Sequence, residues 1–310
     1  MRSFCMSVVF LLAFAISTQL FARQRTASAS RAALSPAQAA LASKLSADLN
    51  RVAASYDGVM GIFVQDLTNG QTFAVNADEV FPTASSIKIP VLIELMRQAQ
   101  AGKINLAQRV EIERAKLVGG SGVLQFFSNG GSEISIHDLA VLMVVLSDNS
   151  ATNLLINRVG RANVNAMLRS LDLDKIVLAR EMMDNASERA NRENRASPRE
   201  MVTLLEDLNA GKLLDPAHTQ MALDILEYYK DSPIRSGIPA GITIAEKPGS
   251  LPGAQCDNGI VFLPGRPYAI SVMTTFNTAD GDAAITAVSA RAFNYFSRIA
   301  HGNAYGVHVR

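Results

Sequence analysis

Strand-like runs stand near both ends of this chain with a long helical stretch between them, and that order limits the folds open to it. Gly58–Leu67 and Gln71–Asn76 are β-rich and flank Asn69-Gly70, a strong short-range hairpin signal. Ile242–Lys247, Gly259–Leu263 and Tyr268–Phe276 are β-rich again. Between the two groups, Ser86–Gln100, Ile136–Leu146, Ala151–Val159, Ala162–Leu171, Pro198–Leu208 and Pro216–Tyr229 carry helical periodicity. Ser35-Pro36 opens a further helix to about Tyr56, and another covers Asp280–Ile299. Ser197-Pro198-Arg199-Glu200 is a capping box. The expected class is α+β: an antiparallel five-stranded sheet built from both ends of the chain, flanked by N- and C-terminal helices, with an inserted all-helical lobe. Residues 30–80 and 230–310 would form the α/β lobe and 81–229 the helical lobe, with a cleft between them. The polar segment Ala186–Ser197 reads as a surface loop.

Residues 1–22 read as a secretory leader. Arg2 is the sole charge before Arg23, and Phe4–Leu20 is an almost uncharged apolar run. Cleavage is expected after Ala22, or after Ala29 as the alternative, and the mature protein is expected to be periplasmic or secreted, without a stable membrane anchor. Removing the leader takes Arg2, Cys5 and no acid, which leaves 28 basic and 28 acidic residues. A balanced charge gives no global argument for nucleic acid as a partner. Two cysteines, four histidines and the absence of CxxC or HExxH leave little for a zinc site, so chemistry is expected from hydroxyls, lysines and carboxylates, with no cofactor. Cys256, alone after export, reads as a small buried apolar residue.

Three short segments carry chemistry. Pro82 keeps Phe81 extended and a helix begins near Ser85, which places Ser85 and Lys88 on one face at a helix N-terminus. A serine hydroxyl needs a neighbour to take its proton, and a lysine kept partly desolvated can do so. Ser147-Asp148-Asn149 closes the apolar helix Ile136–Leu146 and offers a hydroxyl and an amide at a helix junction. Glu246-Lys247-Pro248-Gly249-Ser250 ends a strand, and Pro248 confines that strand to a sheet edge. Read singly, these segments fit a helix cap, a turn cluster and a solvated edge lysine equally well.

Together and in this order, the three segments resemble the motif set of class A β-lactamases and penicillin-binding proteins, with Pro248 in place of a threonine or serine. From about residue 36 to 300 the chain looks like a class A β-lactamase-type serine hydrolase. The resemblance implies that Ser85 is the acylated nucleophile, Lys88 its base, Ser147 the proton shuttle to the leaving nitrogen, and Asn149 the ligand of the substrate side-chain amide. Lys247, with Gly249 and Ser250, would face the substrate carboxylate, and the backbone N–H groups of Ser85 and Ser250 would form the oxyanion hole. Glu181, with Asn185 four residues on, matches the family's loop glutamate and asparagine, and the two would hold the water that Glu181 activates to release the acid. The implied substrate is a small β-lactam and the implied state a monomer. The alternative is a related serine hydrolase or D-Ala-D-Ala peptidase with weak or no lactamase activity. Departures from the pattern are Pro248, the lack of an arginine in Gln255-Cys256-Asp257-Asn258, and Ala179 where the family's loop arginine stands, with Arg180 beside it.

Overall fold

A computed structural model describes residues 34–128, 131–279 and 281–308, so the expected leader and its cleavage sites lie outside the described residues. Ser35 caps the first helix, α1 (Pro36–Ser55), by a reciprocal exchange with Gln38. The hairpin β1 (Val59–Asp66) and β2 (Thr72–Val75) follows, then β3 (Phe81–Pro82), a single 3-10 turn over Ala84–Ile87, and α2 (Lys88–Gln100). The short strands β4 (Arg109–Glu111) and β5 (Glu133–Ser135) precede α3 (Ile136–Val145), α4 (Asn149–Val159), α5 (Arg161–Ser170) and α6 (Asn185–Arg189). Next come β6 (Arg195–Ala196), α7 (Pro198–Asn209), α8 (Pro216–Glu227) and the short α9 (Pro233–Ser236). The chain ends with β7 (Ile244–Leu251), β8 (Ala254–Val261), β9 (Tyr268–Thr275) and α10 (Asp282–His301). Among the described residues no helix is long and apolar enough to cross a membrane.

The sheet has five strands in the order β2-β1-β9-β8-β7, antiparallel throughout, so β1 from one end of the chain pairs with β9 from the other. This is the expected fold class, and β7 stands at the edge that Pro248 requires. Successive residues of β9 serve two cores: Tyr268, Ile270 and Val272 face α1 and α10, whereas Ala269 and Met273 face the helical block. On the first face Tyr268 stacks on Phe296, with ring centroids 4.2 Å apart. On the second, α2 is buried at every position from Lys88 to Met96, the pattern of a helix enclosed on all sides.

Three sequence expectations change. Strand β8 starts at Ala254 rather than Gly259, because the polar residues Gln255, Asp257 and Asn258 are buried with partners. Asp257 Oδ2 accepts from Ile234 N, and Ser271 Oγ donates to Asn258 Oδ1. The expected loop Ala186–Ser197 overlaps α6 and contains β6, which pairs with β3. Only half of the capping box at Ser197 forms, since the Glu200 carboxylate accepts from Lys175 N and Ile176 N instead.

Gly61 lets the sheet approach β3 and α7, for a Cβ there would lie 2.5 Å from the Phe81 ring and 2.8 Å from Pro198 Cγ. Gly61→Ala is therefore expected to cost about 1–3 kcal/mol by overpacking, read as a Tm lower by roughly 2–10 °C in thermal unfolding.

Candidate active site

The pairing of β3 with β6, together with a hydrogen bond from Thr83 N to Asn194 O at 2.9 Å, holds the segment that delivers Ser85. Ala84 is forced to φ 44°, a left-handed conformation that a residue bearing Cβ adopts at a cost, and the tight 3-10 turn follows directly. Ser85 emerges half-buried from this turn. Beneath it Cys256, buried as expected, donates from Sγ to Thr83 O at 3.0 Å, and burial pushes its thiol up to about 12, which leaves it unreactive.

Lys88 opens α2 with no exposed surface, and its Nζ lies 3.0 Å from Ser85 Oγ. The same nitrogen reaches Ser147 O at 2.7 Å, Ser147 Oγ at 2.9 Å and Asn149 Oδ1 at 3.2 Å. Burial, and then the positive charge of Lys247, hold its amine well below the ordinary lysine range, so the neutral base becomes accessible. Ser147 is also left-handed, with φ 52°, and stands between the two lysines, 3.1 Å from Lys247 Nζ.

Asp148 points away from this chemistry. Its Oδ1 caps α4 through Ala151 N, and its Oδ2 accepts from Val123 N and Leu124 N at 2.7 and 2.9 Å. The buried carboxylate thereby fixes the loop that walls the cleft. Asn149 Nδ2 donates to Gly119 O, and Ser150 Oγ exchanges hydrogen bonds with both Val118 N and Val118 O.

Lys247 is 2% exposed, not a solvated edge lysine. Burial and then the nearby Lys230 push its ammonium down to about 8. Two residues on, Gly249 permits backbone contact with the nucleophile turn, since a Cβ there would sit 2.7 Å from both Ser85 N and Thr83 O. A cleft of about 340 Å³ is lined by Ser85, Asn149, Asn185 and Ser250, with Arg180 and Met182 on the opposing loop.

Glu181 does not share this cleft. It lines a separate cavity of about 560 Å³ with Lys116, Asn153 and Arg158, so the structure brings together the other expected site residues and leaves Glu181 out. The cause is backbone placement: Asn153, one turn along α4 from Asn149, accepts from Met182 N at 2.8 Å and donates to Met182 O at 3.0 Å. Met182 and the left-handed Met183 then line the Ser85 cleft, and the preceding side chain turns away.

The loop is anchored without an arginine at position 179. Arg180 makes a bidentate pair with Glu193, and Asn194 Oδ1 accepts from Ala179 N and Arg180 N. Sequence reasoning missed Asn153, Glu193 and Asn194; the spacing of Asn153 from Asn149, and the position of Glu193-Asn194 just before Ser197-Pro198, were the available signals. Among the described residues no group of three or more His, Cys, Asp or Glu side chains is disposed to hold a metal ion.

A hydroxyl nucleophile, a buried amine beside it and a second hydroxyl between two lysines define a serine enzyme of acyl transfer. Residues 44–296 match the Beta-lactamase enzyme family. A Beta-lactamase of Streptomyces fradiae is 31% identical over 268 residues, which cover 82% of this chain and 87% of that one. Among solved structures, PBP-A superposes with a TM-score of 0.76 at 27% identity, covering 82% of this chain and 96% of that one. A mutant of PBP-A, solved as an acyl-enzyme complex with penicillin G, matches equally well at 0.76. A β-lactamase from Sphaerobacter thermophilus matches at 0.74 and 30% identity, covering 82% and 97% of the two chains. The chain belongs to the β-lactamase enzyme family, as a serine hydrolase of the class A type.

Asp148→Ala would strand two loop N–H groups and uncap α4. The expected loss is about 3–5 kcal/mol, measured by denaturant unfolding, with Asp148→Asn intermediate.

Proposed function

We propose that the protein is an exported serine hydrolase that opens β-lactam rings by acyl transfer to Ser85 and releases the product acid slowly. The observation that carries this reading is the buried Lys88 amine in contact with Ser85 Oγ and Ser147 Oγ. In the proposed step Ser85 Oγ attacks the lactam carbonyl carbon as its proton passes to neutral Lys88 Nζ. The C–N bond then breaks, and the departing nitrogen takes the Ser147 hydroxyl proton, which the Lys88 ammonium replaces. Lys247 attracts the substrate carboxylate, Asn149 holds its side-chain amide, and the N–H groups of Ser85 and Ser250 receive the oxyanion. The cleft lies where the helical block 81–229 meets the lobe made of 30–80 and 230–310. Export by the leader 1–22 belongs to the same reading.

Slow release follows from the position of Glu181. A general base must reach the attacking water directly or through one hydrogen bond, and Glu181 opens into a different cavity. This favours the penicillin-binding type of behaviour over rapid turnover.

Mass spectrometry after mixing with benzylpenicillin tests both halves. An adduct of intact penicillin mass on Ser85 that persists for minutes, is absent in Ser85→Ala and keeps its lifetime in Glu181→Ala, is expected. Turnover near the typical enzymatic rate of about 10 per second, lost in Glu181→Ala, would overturn the slow-release half. No adduct and no turnover would overturn the whole reading.

The pH dependence has a defined sign. Acylation requires neutral Lys88, so its rate rises with pH through a pKa well below 10.5, whereas carboxylate binding requires charged Lys247 and weakens above about pH 8. Second-order acylation rates measured across pH should give a bell with its alkaline limb near 8.

A further inference from the structure

Charged side chains of both signs lie near Ser85. Lys88 and Lys247 meet at Ser147, and Lys88 also touches Ser85 Oγ. Arg180, Glu188 and Glu193, on the opposing loop, line the cleft that Ser85 lines. Arg180 Nε and Nη2 are taken up by Glu193, at 2.9–3.2 Å, so this pair cancels. Glu188 Oε2 is 3.8 Å from Arg180 Nη2, beyond hydrogen-bond reach, and its side chain remains half exposed. The neighbouring Arg192 turns to Ser187 Oγ and does not line the cleft, nor does Arg189. Among the described residues that line the cleft, one cation, Arg180, thus faces two carboxylates, Glu193 closely and Glu188 loosely, which leaves one net negative charge with Glu188 the more exposed of the two.

We propose that Glu188 is a specificity-determining residue that selects acyl donors with a protonated amine on the acyl side chain. Resting on the Ser85 acylation reading, this names the substrate class: a zwitterion whose carboxylate goes to Lys247 and whose ammonium goes to Glu188. A second carboxylate in place of the ammonium meets repulsion at the loop end. An attraction of this kind, in a cleft open to solvent, is modest and weakened by salt.

The test compares ampicillin, which has an ammonium on its acyl side chain, with carbenicillin, which has a carboxylate at the same place. Second-order acylation rates are measured for the unmodified protein, Glu188→Gln and Glu188→Lys, at low and high salt. The ampicillin-to-carbenicillin ratio is expected to fall roughly fivefold or more in Glu188→Gln, to fall further in Glu188→Lys, and to shrink with salt in the unmodified protein. A ratio unchanged by both substitutions overturns the proposal. Equilibrium binding of the same two compounds to Ser85→Ala, with and without Glu188→Gln, reads the preference with no chemistry involved. Binding to Ser85→Ala that prefers ampicillin through Glu188, while neither compound acylates the unmodified protein, would sink the acyl-transfer reading and leave the selectivity standing. Binding that ignores Glu188 would overturn the selectivity even where acylation proceeds.

Discussion

The site depends on one amine kept out of water. A lysine ammonium in contact with bulk solvent is a poor base at neutral pH, and a serine beside it would be inert. Lys88 opens a helix buried from its own position to Met96, with partners at 2.7–3.2 Å on Ser85, Ser147 and Asn149 and with the positive charge of Lys247 acting on it. Enclosure and that charge act in the same direction, and the carboxylate of Asp148 opposes them only partly. The residues that make α2 a core helix therefore also set the chemistry at its first turn.

Rigidity around that amine comes from groups that take no part in the reaction. Ala84 and Ser147 hold left-handed conformations next to the reacting atoms, and the strain persists because their neighbours over-determine them. Asp148 ties α4 to the 118–124 loop, Asn194 ties the nucleophile segment to the opposing loop, and Gly249 lets an edge strand touch the nucleophile turn. The middle residue of Ser147-Asp148-Asn149 is thus a cap and a buried staple between two residues of the cleft.

The opposing loop shows how the hydrogen bonds of one side chain divide neighbouring residues between two cavities. Asn153 holds both backbone groups of Met182, which commits Met182 to the cleft and Glu181 to the cavity behind α4. Arg180, adjacent to the position where the family pattern places its arginine, finds Glu193 and closes the loop base. The loop keeps its shape, while the carboxylates that line the cleft become Glu188 and Glu193.

Much of the architecture is legible in the residues. Periodicity located the helices, Asn69-Gly70 the hairpin and Pro248 the sheet edge, because each rests on local backbone preference. Motif order brought Ser85, Lys88, Ser147, Asn149 and Lys247 to one place, since their spacing fixes which turn or helix end presents them. Buried polar strand residues such as Asp257 and Asn258 escaped that reading, because their partners, Ile234 N and Ser271 Oγ, are distant in sequence. Glu181 escaped it for the same reason. Spacing along a loop counts residues, but the side chain's direction depends on hydrogen bonds to Asn153 across the fold. The sequence by itself determined the fold class and the adjacency of Ser85 and Lys88; only the tertiary structure decided which loop carboxylates line the cleft of Ser85, because a loop's facing is set by long-range contacts.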